Sequence, residues 1–176
     1  LLNLISDASS RRGCIALDMV YKEALKDFEN IGVNVYDDKK LLESNYYMEM
    51  GQKDFPGLCT SGNTRINILF PPEKEMNKLM DELKVDGLVS IYLESENDIS
   101  TQARMMLWVK GKEKAEMAWM GYLWRSIFVE TDKNFFFSDL QELSRSSSEK
   151  INITAKVYLS SFRLLLSRFK NEIVKE

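Results

Sequence analysis

Ser147 and Lys150 stand three residues apart, the S-x-x-K spacing at which a lysine amine can assist an attacking serine hydroxyl. The S-D-N and K-T-G segments that complete such an acyl-enzyme site are absent, so a solvated helix start explains the pair more simply. Carboxylates offer a second chemistry. Asp37, Asp38, Glu43, Glu94, Glu96 and Asp98 all fall near expected turns, and paired acids can exchange protons with a substrate. Capping and solubility account for the same acids. The chain has no histidine, which removes Ser-His and Cys-His pairs, a histidine base and the usual zinc sites. Cys14 and Cys59 lie 45 residues apart and lack the close spacing of a metal knuckle. They could form one disulfide, but spacing does not show that they meet, and free thiols are the expectation. Gly111-Lys112 has no upstream glycine, so it does not make a phosphate loop. The expectation is therefore no catalytic, cofactor or metal site, with a hydrolase using carboxylates or the Ser-Lys pair as the alternative.

Residues suited to contact a partner are aromatic or apolar and lie near loops. Residues 50–63, MGQKDFPGLCTSGN, read as a long loop whose apolar tip holds Phe55, Pro56 and Leu58. Phe135, Phe136 and Phe137 follow a polar break, and either fold into the core or anchor a partner. Phe55, Leu58, Phe135 and Phe136 are the candidate partner contacts. Trp108 shares a strand face with Gln102, Arg104, Met106 and Lys110, and either packs beneath a helix or anchors a partner. The nine methionines read as core filler. Arg163, Arg168, Lys170 and Lys175 make the last helix locally basic, which suits the negative end of its dipole. A net charge of −3 and a pI near 5.3 give no electrostatic case for nucleic acid. Asn152-Ile153-Thr154 matches a glycosylation sequon but falls within a helical pattern, so it reads as chance.

These residues need a scaffold. A chain of 176 residues, 44% hydrophobic and 29% charged, is expected to form one domain over 1–176. Helical spacing runs from Cys14 to Ile31 through Leu17, Val20, Ala24, Leu25 and Phe28, and Gly32 sits at its stop. Leu1 to Ile5 is apolar, but no strand is read before this helix. Val33 to Tyr36 reads as a short strand, and Asp37-Asp38 caps a short helix with Leu41 and Leu42. Arg65 to Phe70 alternates as a strand, and Pro71-Pro72 opens a helix carrying Met76, Leu79, Met80 and Leu83. In ELKVDGLVSIYLE, Lys84 closes that helix, and Gly87 is expected to supply the left-handed exit. Strands follow at 88–94, 102–110 and 116–129, with short polar turns, as an antiparallel meander. The last strand is apolar on both faces: Met117, Trp119 and Leu123 on one, Met120, Tyr122 and Trp124 on the other. Such a strand predicts helices packed on at least one face. Ser138 with Gln141 resembles a capping box, and a long helix from Ile151 carries Ala155, Tyr158, Phe162, Leu165 and Phe169. The predicted class is α/β: a mixed, mainly antiparallel sheet flanked by helices, including a long carboxy-terminal one.

The order of elements, with Val33–Leu42 after the first helix and Asp86-Gly87-Leu88-Val89 opening a later strand, resembles one group of envelope domains. The group comprises the curli secretion channel family, the lipoprotein activators of penicillin-binding proteins and the TolB amino-terminal domain. Tyr46-Tyr47 with Gly51 is similar to a segment in related lipoproteins. The likeness spans about residues 14–130. Two departures are the unread amino-terminal strand and the carboxy-terminal helix. The motifs are structural, so no functional residue carries over. The resemblance implies a lipoprotein-like adaptor of the cell envelope or periplasm whose partner is another envelope protein; the alternative location is the cytoplasm. The chain begins at Leu1, so a preceding signal or lipid anchor is expected to provide any peripheral membrane attachment.

Overall fold

The computed structural model describes residues 2–7, 11–36, 44–45, 58–61, 73–96, 100–126 and 147–174. Strand β1 is Leu2–Asp7 and helix α1 is Arg11–Asn30. Strand β2 is Leu58–Ser61, helix α2 is Glu73–Leu83 and strand β3 is Gly87–Glu96. Strand β4 is Ser100–Val109, strand β5 is Glu116–Ser126 and helix α3 is Ser147–Glu172. The strands form one sheet in the order β2-β1-β3-β4-β5. Only β1 and β3 run parallel; the other described pairings are antiparallel. The fold is thus the α/β class expected, with a mixed, mainly antiparallel sheet and a long carboxy-terminal helix.

Helices α1 and α3 cover one face, here the inner face. Leu17, Val20, Ala24 and Phe28 of α1 and Tyr158, Phe162, Leu165 and Phe169 of α3 are buried against it. From the sheet come Val89, Ile91, Leu93, Ala103, Met105 and Trp119, alternate residues of three strands. The aromatic rings meet edge to face or tilted: Phe28 lies 5.7 Å from Phe162, and Trp119 lies 5.3 Å from Phe169. Arg163 of α3 donates to Asp27 of α1 at 2.7 Å, and that hydrogen bond raises the arginine pKa further above its ordinary value.

A smaller cluster lies on the outer face. Met76, Leu79 and Met80 of α2 pack on Leu88, Met106 and Trp108. Trp108 therefore sits beneath a helix and is not an exposed anchor. A clasp holds α2 to the β4–β5 hairpin. Asn77 donates to the Gly111 carbonyl at 2.9 Å and accepts the Gly111 N–H at 3.0 Å. The Ala115 N–H reaches the Glu73 carbonyl at 2.9 Å. Lys110 pairs with Asp81, and Lys114 with Glu73 at 2.7 Å. The hydrogen bond to Glu73 raises the Lys114 pKa.

Several expectations need correction. A strand does precede α1. β1 lies inside the sheet, pairing with Leu58–Ser61 on one side and with residues of β3 on the other. Its partners are more than 50 residues away in sequence, so no local period announces it. Part of the expected 50–63 loop is strand β2, which places Leu58 opposite Asp7. Val33 to Tyr36 is not a strand. Val33 and Val35 still pack against the inner core, so their alternation reported burial and not pairing. Gly87 does not make the left-handed exit; Lys84 does, at φ 54°. The Lys84 N–H reaches the Asp81 carbonyl at 3.4 Å, and the Val85 N–H reaches Met80 at 3.1 Å. The same pair of bonds closes α1 around Gly32, at φ 82°. Gly87 has a different task. A Cβ there would come within 2.8 Å of the Trp108 carbonyl oxygen, so glycine permits the close approach of β3 and β4. The expected 37–42 helix, 65–70 strand and Ser138–Gln141 cap lie outside the described residues.

Candidate functional site: the outer face of β4 and β5

Register assembles the site. Rows run across β3, β4 and β5 on the outer face: Leu88–Trp108–Met117, Ser90–Met106–Met120, Tyr92–Arg104–Tyr122 and Glu94–Gln102–Trp124. At the β3 and β4 positions of the first two rows, α2 provides cover, and Leu88, Met106 and Trp108 are buried. At β5 no described element provides it. Met117 is 48% exposed, Met120 53%, Tyr122 44% and Trp124 58%. The apolar surface therefore continues from the small outer core into solvent along one strand.

Two local features shape this face. The register between β4 and β5 shifts so that Leu107 faces Trp119 and Trp108 faces Met117. Ala118 is the extra residue of the bulge. A bulge reverses the facing of the residues beyond it. Met117 consequently joins the outer face, not the inner face with Trp119 as strict alternation predicted. Gly121 leaves space on the inner side. A Cβ there would lie 2.5 Å from Cη2 of Trp119, so glycine lets that ring lie flat along the strand. The Trp119 Nε1–H donates to Glu172 at 2.6 Å, and Arg168 donates to the Tyr122 carbonyl at 3.4 Å. Helix α3 thus fixes β5 from the inner side while its outer side stays open.

Polar groups frame the apolar ones. The Arg104 guanidinium lies 5.4 Å from the centroid of the Tyr122 ring, within cation–π range. The Tyr92 hydroxyl donates to Glu94 at 2.9 Å. This arrangement contains no nucleophile beside a base. It offers flat apolar area, two phenol groups and one guanidinium.

The earlier candidates do not gather here. Phe55, Phe135 and Phe136 lie outside the described residues. Leu58 is in β2, at the opposite end of the sheet from β5. Ser147 and Lys150 both lie at the start of α3. Cys14 is in α1 and Cys59 in β2. Asp37, Asp38, Glu43 and Asp98 lie outside the described residues, while Glu96 ends β3 opposite Ser100. Among the described residues, no three acids or cysteines are grouped to hold a metal ion. No described helix is long and apolar enough to cross a membrane. Sequence reading identified Met120, Tyr122 and Trp124 as one face but expected burial to follow. A usable signal was present: Gln102 and Arg104, their β4 neighbours, are polar where a covered face would be apolar.

Compared with family models, curated proteins and solved structures, the chain matches none.

Proposed function

We propose that this protein is a non-catalytic interaction or assembly module of a bacterial cell envelope, lipoprotein-like, that binds another envelope protein through the outer face of β5. The observation that carries the reading is the row of Met117, Met120, Tyr122 and Trp124, all exposed on one strand. Isolated surface apolar residues are ordinary, but contiguous ones mark contact sites. Methionine, tyrosine, tryptophan and arginine are the types enriched where proteins meet, and Arg104 beside Tyr122 completes that set. Burying each large side chain is worth roughly 1.5–3 kcal/mol, so a partner that covers this face gains substantially. The envelope assignment rests on the resemblance to the curli-channel, activator and TolB group. The presence of β1 before α1 supports it, because the missing strand was one of the two departures.

Photo-crosslinking in the source cells tests the reading. A photoreactive residue replaces Met120, Tyr122 or Trp124 in turn, with exposed Lys22 on α1 as the control. The reading expects one common envelope-protein adduct from the three β5 positions and none from Lys22. Adducts of equal yield from Lys22, or no adduct from β5, would overturn it. An adduct of twice the chain mass would replace the envelope partner with a second copy.

A further inference from the structure

We draw no further inference here: the strongest candidate, the uncovered outer face of β5 around Met120, Tyr122 and Trp124, belongs to the contact surface already proposed, and nothing in the structure shows what covers it.

Discussion

On the inner face of β5, Trp119 is 9% exposed, meets Phe169 edge to face and donates its N–H to Glu172. On the outer face of the same strand, Trp124 is 58% exposed. Both faces carry large apolar residues, Trp119 and Leu123 inside and Met120, Tyr122 and Trp124 outside. What separates them is the helix above: α1 and α3 pack on inner-face residues of β3, β4 and β5, whereas the 11 residues of α2 pack on β3 and β4. Apolar composition therefore sets what a face could bury, and the length and placement of the neighbouring element set what it does bury.

Substitutions across the two faces should rank by this difference. Phe162→Ala removes a fully buried ring that touches Phe28, and should cost about 3–5 kcal/mol in urea unfolding. A loss near zero would mean that the inner core does not hold the sheet. Met76→Ala, in the smaller outer cluster, should cost about 2–5 kcal/mol but fall below Phe162→Ala measured in the same buffer. The reverse order would make the outer cluster the principal core. Asn77→Ala strips both hydrogen bonds from Gly111 and should cost about 1–3 kcal/mol, with faster amide exchange at Gly111. Unchanged exchange would show that the clasp is not formed in solution.

The two helix exits allow a finer comparison. Lys84 takes the left-handed conformation that Gly32 takes without strain. That conformation costs a non-glycine residue about 1–2 kcal/mol. Glycine in its place loses more chain entropy on folding, about 0.5–1 kcal/mol. Lys84→Gly should therefore stabilise by roughly 0–1.5 kcal/mol, the difference of those two ranges. A destabilised variant would show that the lysine side chain contributes more than its backbone strain costs. Trp124→Ser should change stability least, within about 0.5 kcal/mol, because an exposed ring has little packing to lose. A loss of several kcal/mol would place that ring inside a core.

The local parts of this fold were readable from sequence, and the non-local parts were not. The stripe from Leu17 to Phe28 and the three meander strands follow from periodicity within short windows. β1 and β2 are short and pair with each other, and β1 with β3, across long stretches of chain, so no window contains their evidence. Strict alternation puts Met117 on the inner face, and one bulged residue reverses it. Glycine is the usual left-handed residue and so points to Gly87 as the exit, whereas the exit is at Lys84 and the close approach of the Trp108 carbonyl is what requires Gly87. The candidate site was half readable. Its residue types were visible, but its exposure depends on where α2 ends.

The openness of the outer face can be measured without perturbing the core. The chain has three tryptophans, and 5-fluorotryptophan incorporation gives each its own fluorine resonance. Trp108 and Trp119 are buried and Trp124 is exposed. Comparing the isolated protein in light and heavy water, with the signal absent from Trp124→Phe identifying Trp124, reads solvent contact at each ring. The structure predicts a clear solvent isotope shift for Trp124 and little for Trp108 and Trp119. A Trp124 resonance as shielded as that of Trp119 would mean that the outer face of β5 is already covered in the isolated chain, and would contradict its role as an open contact surface.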